Sequence, residues 1–268
     1  MMSTPLEDLL IKVRGENRAA LIAYLPAGFP SAQKCKDAIA TLAEAGVDAI
    51  EIGFPYSDPV MDGPTIQEAA DISLRGGTGA AEVLSTLKFA HDAGLPTVVM
   101  TYWNPIERYG VDAFAKAIAT NGGSGVITPD LTIEESGPWK VATSEAGVNT
   151  IYVLAPSSTQ ERIAAVTAKC SGFVYAASLM GVTGARATMS SGAQDLVSRI
   201  RNTTDLPVAV GLGVSTRDQA RHVAGFADGV IVGSAFIKAL LDAKSHKEGL
   251  EAIGALAKEL ALGVREGR

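Results

Sequence analysis

The chain has 268 residues, 47% of them hydrophobic, and its 23 Lys and Arg against 29 Asp and Glu give a formal charge of −6. A chain of this length buries roughly 70% of its extended surface without disulfide or metal staples, which admits one α/β barrel or two small domains. Scattered basic residues and an acidic balance argue against a nucleic-acid partner. Cys35 and Cys170 form no CxxC and have no His at ligand spacing, so neither a zinc site nor a disulfide framework is expected, and a reducing cytoplasm fits. Acidic residues near the amino terminus, Glu7 and Asp8, stand where a signal peptide carries positive charge, and no apolar run approaches the ~18 residues of a membrane span.

Along the chain, short β-branched runs alternate with longer Ala-rich stretches of helical period. The pattern predicts strands at residues 20–25, 48–53, 97–102, 125–128, 150–154, 173–177, 208–211 and 229–232. Between and after them it predicts helices at 31–45, 80–93, 112–119, 133–146, 159–168, 193–201, 216–224 and 248–262. No linker or composition shift divides the chain, so residues 1–268 are expected to form a single domain. Eight strand and helix pairs close most simply as an α/β fold, the (β/α)8 TIM barrel. The rival, a doubly wound open sheet, announces itself with G-x-G-x-x-G after the first strand, whereas here Leu25-Pro26-Ala27-Gly28-Phe29-Pro30 follows.

Barrel active sites lie at the carboxyl ends of the strands. Glu51 sits inside the second strand between Ile50 and Ile52, and period-2 alternation turns it to the opposite face, into the barrel mouth. A carboxylate there is costly to desolvate and suits a general acid/base, although a structural carboxylate paired with a buried cation reads the same way. Asp58 and Asp62 follow in the next loop; taken singly, each reads as a turn or cap residue, and paired with Glu51 one of them supplies a second carboxylate. Gly211-Leu212-Gly213 after the seventh strand and Gly233-Ser234 after the eighth occupy the usual phosphate loops of such barrels, with a helix expected to begin at Ser234. Gly-rich residues 181–186 after the sixth strand read as a lid or as an ordinary connection.

No predicted strand contains a Lys, which removes the reactive group of a Schiff-base aldolase. His91, His222 and His246 fall in or near helices as solvated residues, with no ligand cluster. Phosphate binding with carboxylate acid/base chemistry remains, without metal or cofactor.

Ile50-Glu51-Ile52-Gly53 through Tyr56-Ser57-Asp58-Pro59 to Asp62-Gly63-Pro64-Thr65-Ile66-Gln67 resembles the signature segment of the tryptophan synthase alpha subunit family. Tyr102-Trp103-Asn104-Pro105, Asp130-Leu131, Gly181-Val182-Thr183-Gly184, Gly211-Leu212-Gly213 and Gly233-Ser234-Ala235 extend the resemblance, in family order, over essentially the whole chain. It implies retro-aldol cleavage of indole-3-glycerol phosphate to indole and glyceraldehyde 3-phosphate in tryptophan biosynthesis. By the same resemblance Glu51 and Asp62 are the catalytic carboxylates, Tyr175 reaches the substrate and Thr183 is the lid threonine that bonds the catalytic aspartate on closure. Gly184, Gly213, Gly233 and Ser234 match the phosphate cradle. The implied partner is the pyridoxal-phosphate-dependent beta subunit, this chain itself binding no cofactor. Two other readings stay open: a partner-binding regulatory barrel with weak or no lyase activity, and a phosphosugar isomerase on the same scaffold.

Overall fold

The computed structural model describes residues 3–177, 186–211 and 213–267, with residues 186–191 described by their backbone only. The chain opens with α1 (Pro5–Gly15) and continues through β1 (Ala20–Pro26), α2 (Ala32–Glu44), β2 (Ala49–Gly53), α3 (Pro64–Arg75), α4 (Ala80–Asp92) and β3 (Thr97–Met100). Next come α5 (Trp103–Tyr109), α6 (Val111–Thr120), β4 (Gly125–Ile127), α7 (Gly137–Ala146), β5 (Asn149–Ile151), β6 (Val153–Leu154), α8 (Gln160–Thr167) and β7 (Val174–Ala177). The last elements are α9 (Arg186–Arg201), β8 (Val208–Gly211), α10 (Arg217–Ala224), β9 (Gly229–Val232), α11 (Ser234–Asp242) and α12 (His246–Glu266).

All the strand pairings are parallel, in the order β5-β4-β3-β2-β1-β9-β8-β7-β6. Only Tyr152 separates β5 from β6, so the two ends of that order are consecutive in the chain and the sheet comes round on itself as a barrel. The single strand expected over 150–154 is thus split in two. Its first part pairs with β4 and its second with β7, as the stagger between tilted barrel strands requires.

Several helices begin one residue after their predicted start because that first residue is the cap. Ser31, Thr159 and Thr216 accept from the backbone N–H of Lys34, Arg162 and Gln219. Helix α7 begins at Gly137 rather than at 133. Residues 132–136 turn instead, with Ser136 Oγ donating to the Ile133 carbonyl at 2.9 Å, and Pro138 favours a helix start just after. Helix α9 begins at 186 instead of 193, since no Pro breaks this stretch and Gly192 is tolerated inside a helix. Much of what reads as loop after the sixth predicted strand is therefore helical. Helices α1, α3 and α5, absent from the predicted pattern, fill the remaining connections.

The amino-terminal end of the barrel is its structural floor. Helix α1 carries a Thr4–Glu7 capping box and buries Leu6, Leu10 and Val13, and Asn149 Nδ2 at the start of β5 donates to Thr4 Oγ1 at 2.9 Å. Just before β2, Asp48 accepts both guanidinium arms of Arg18 at 2.9 Å and the Leu21 N–H at 2.8 Å. Just before β9, buried Asp228 accepts the Val208 N–H at 2.9 Å and pairs with Arg201 at 3.2 Å and Arg14 at 3.4 Å.

Candidate active site

The opposite end is built differently. On β2, Ile50, Glu51 and Ile52 are all buried, and Glu51 lines a cavity of about 130 Å³ at the carboxyl ends of the strands. Among the described residues its Oε2 has no hydrogen-bond partner. Burial, reinforced by the negative charge of Asp62, pushes the Glu51 carboxyl up to about 8.

The loop between β2 and α3 brings Asp62 to the same cavity. Gln67 Nε2 on α3 donates to the Asp62 carbonyl at 2.8 Å, which ties the backbone of this residue to the helix that follows. Tyr102, two residues beyond β3 at the N-cap of α5, donates its O–H to Asp62 Oδ2 at 3.2 Å and accepts the Met61 N–H at 3.2 Å. Burial raises the Asp62 carboxyl above its ordinary value, and the Tyr102 hydrogen bond opposes the rise by favouring the ionised form. The Tyr102 ring rests on Tyr56, centroids 5.2 Å apart, and Asn104 Nδ2 donates to the Tyr56 hydroxyl at 2.9 Å. Asp58 takes no part: it is exposed, accepts from Ser57 Oγ at 2.6 Å and lines a separate hollow with Tyr56 and Arg108.

Across the cavity from these acids are Tyr175 on β7, Gly211 and Gly213 after β8, and Gly233 and Ser234 at the start of α11. Gly213 has φ of +66°, a conformation open to glycine. Among the described residues no side chain caps α11, so its first turn presents backbone N–H groups and the positive end of a nine-residue helix. A Cβ on Gly211 would lie 2.6 Å from the Tyr175 hydroxyl, so glycine at this position makes room for that phenol. Ile66, Met100, Ile127, Val153 and Ile231 supply apolar walls.

One cavity therefore gathers Glu51, Asp62, Tyr175, Gly213, Gly233 and Ser234. Thr183 and Gly184 lie outside the described residues, as do Leu179, Met180 and Leu212. Two tyrosines of the site carry no role in the sequence reading. Tyr24 of β1 lines the cavity, and Tyr102 holds Asp62. The signal for Tyr24 was the one used for Glu51, a polar group near the carboxyl end of a strand, here hidden in an otherwise apolar run. Among the described residues no group of three or more His, Cys, Asp or Glu is arranged to hold a metal. His246 is less solvated than its helical position suggests, its Nε2 lying 2.8 Å from Asp37 Oδ2.

The arrangement offers an elevated carboxyl, a second carboxylate in a phenolic hydrogen bond, apolar walls, and a helix start without a side-chain cap. The family model for the tryptophan synthase alpha chain matches residues 10–265. The chain is 57% identical to the tryptophan synthase alpha chain of Streptomyces avermitilis over 263 residues, covering 98% of this chain and 95% of that one. Against the Mycobacterium marinum tryptophan synthase alpha chain the identity is 51%, covering 97% and 95%. A solved Mycobacterium tuberculosis tryptophan synthase superposes with a TM-score of 0.91 at 49% identity, covering 98% of this chain and 99% of that one. Tryptophan synthase subunit alpha from Legionella pneumophila gives 0.89 at 30% identity, with coverage of 98% and 99%.

Proposed function

Because the chain belongs to the tryptophan synthase alpha chain family, we propose that Glu51 and Asp62 are the two carboxylates that perform its reaction. That reaction is the cleavage of indole-3-glycerol phosphate to indole and glyceraldehyde 3-phosphate. The observation that carries the assignment is the Glu51 carboxyl, buried, unpartnered at Oε2 among the described residues and elevated to about 8, facing the same cavity as Asp62.

Near neutral pH Glu51 holds its proton and gives it to indole C3. The ring then carries a positive charge shared with its nitrogen, which makes the substrate its own electron sink and removes the need for a Schiff-base lysine. Asp62 stands against that nitrogen, its negative charge stabilising the cationic intermediate. The Glu51 carboxylate next takes the proton of the hydroxyl on the carbon attached to C3. The carbon–carbon bond breaks, its electron pair returns to the ring, and the hydroxyl carbon leaves as the aldehyde. Gly213, Gly233 and Ser234 hold the phosphate, Tyr175 contacts the substrate, and Thr183 and Gly184 belong to the same site in this reading. Acid/base catalysis of this kind typically contributes about 10²–10⁴-fold.

The test is indole release by Glu51→Gln, expected to fall by about two to four decades with binding of glycerol 3-phosphate preserved. Retention of more than a tenth of the wild-type rate removes Glu51 from the chemistry. The phosphate assignment is tested by Gly213→Asp, which puts a negative charge and a strained φ at the anion site. Glycerol 3-phosphate is expected to bind this variant at least tenfold more weakly, and equal affinity would reduce the glycines to turns.

The product indole is consumed by the beta subunit, the chain's partner in the family complex. We place residues 1–268 in one barrel domain working in the cytoplasm. The free thiols Cys35 and Cys170 support the location, and among the described residues no helix is long and apolar enough to cross a membrane.

A further inference from the structure

Tyr24 pairs in register with Glu51 across the parallel β1–β2 ladder. Two side chains at matched positions of neighbouring parallel strands leave the sheet at the same height and on the same side, here into the cavity that both line. The Tyr24 ring fills a notch cut by two glycines. A Cβ on Gly53 would lie 2.3 Å from its hydroxyl, and one on Gly233 would lie 2.9 Å from Cδ1. The ring is thus fixed between β2 and the start of α11, with its hydroxyl directed over β2 beyond Glu51. A phenylalanine would fill the same notch without the cost of burying a hydroxyl, so the oxygen calls for a polar purpose. The charged and titratable groups facing it are Asp62, Glu51, Tyr102 and Tyr175. Burial and the two carboxylates drive the phenol well above its ordinary value, so it keeps its proton at neutral pH and acts as a donor.

Glu51 has the complementary deficit. Its Oε2 is buried with no partner among the described residues, a tolerable state for a neutral acid and a costly one for the carboxylate formed when the proton moves to indole C3. We propose that Tyr24 is a positioning residue of the acid/base step, whose O–H donates a hydrogen bond to the Glu51 carboxylate during the interval in which that carboxylate exists. The phenol proton stays on Tyr24 throughout; the only proton that travels is the one Glu51 gives to C3 and recovers from the substrate hydroxyl. This inference rests on the assignment of Glu51 as the acid.

Tyr24→Phe deletes one oxygen and tests it. Removing a donor to the carboxylate destabilises the ionised form, so the Glu51 carboxyl rises further and the alkaline limb of the kcat profile, where the acid loses its proton, moves up by about one pH unit. At neutral pH kcat is expected to fall about tenfold with KM within about twofold. Infrared titration of the unliganded protein reads the same carboxyl without any turnover, its band identified by loss in Glu51→Gln, and should show the same upward shift in Tyr24→Phe. An unchanged limb and an unchanged carboxyl titration would overturn the proposal, as would a variant altered only in glycerol 3-phosphate affinity. Those failures are distinct from failure of the acid assignment, which shows as activity retained in Glu51→Gln whatever Tyr24→Phe does.

Discussion

The barrel buries an acid at each end, and the two are equally hidden: Glu51 is 3% exposed at the mouth and Asp228 2% at the floor. Asp228 meets the Val208 N–H and the guanidinium groups of Arg14 and Arg201, which bind α1 and α9 to the start of β9. Among the described residues Glu51 has an oxygen without a partner, two tyrosines and a second acid for neighbours. Burial of a carboxylate is therefore no guide to its role. The partners decide: with cations around it the charge is a structural brace, and without them the group holds its proton and becomes a reagent.

The largest expected effect breaks the pair apart on two readouts. Glu51→Gln should cost two to four decades of turnover without lowering stability, while Asp228→Asn should leave kcat of the folded protein within about twofold and lower unfolding stability by about 3 kcal/mol. Denaturant melts beside indole-release rates decide it, and a large kcat loss in Asp228→Asn would erase the distinction between mouth and floor.

A second effect of similar size is in the pH dependence of stability. The Glu51 carboxyl titrates near 8 when folded and near its ordinary 4.5 when unfolded. Between those values the folded chain holds the extra proton, so this group favours the fold fully below about 4.5, and its contribution is lost as pH rises toward 8. Glutamine cannot titrate. The stability of Glu51→Gln relative to wild type should therefore grow from pH 5 to pH 8 by on the order of 3–5 kcal/mol and level off above, and a constant difference would show that Glu51 is not held protonated.

Asp62 lies between the extremes, buried enough to be raised yet hydrogen-bonded by Tyr102. Asp62→Asn keeps an acceptor for that phenol and removes only the charge. Turnover should fall about a hundredfold with KM little changed; a variant altered only in KM would mark Asp62 as a binding residue.

Much of this was legible in the chain because it follows from period. Residues 208–211 and 229–232 are strands with the bounds that β-branched runs indicate, and Glu51 between two isoleucines reads directly as an inward acid. The Gly-rich turns after β8 and β9 were visible for the same reason: a fold places its loops before any side chain is considered. What escaped depended on contacts between distant segments. Nothing local in Tyr102 shows that it reaches back to Asp62, and nothing in Gly53 or Gly233 shows that their missing side chains house Tyr24. Asp228 is equally silent in sequence, since its cations arrive from residues 14 and 201.

The smallest effect sharpens the floor's side of the comparison. Arg14 and Arg201 reach the same Asp228 oxygen from partly exposed positions, their side chains 47% and 44% accessible. Removing either one leaves the other in place, and the guanidinium lost was already half in water. Arg14→Ala and Arg201→Ala should each cost about 1 kcal/mol, less than the full value of a buried pair. The double variant is different in kind, because it removes Arg14 and Arg201 together from a buried carboxylate. Its loss should exceed the sum of the singles by at least about 1 kcal/mol, the coupling expected when two groups share one buried partner. Simple additivity in a double-mutant cycle would mean that the Val208 N–H and the other contacts of Asp228 already suffice. The floor acid would then be held as the mouth acid is not, by backbone more than by charge.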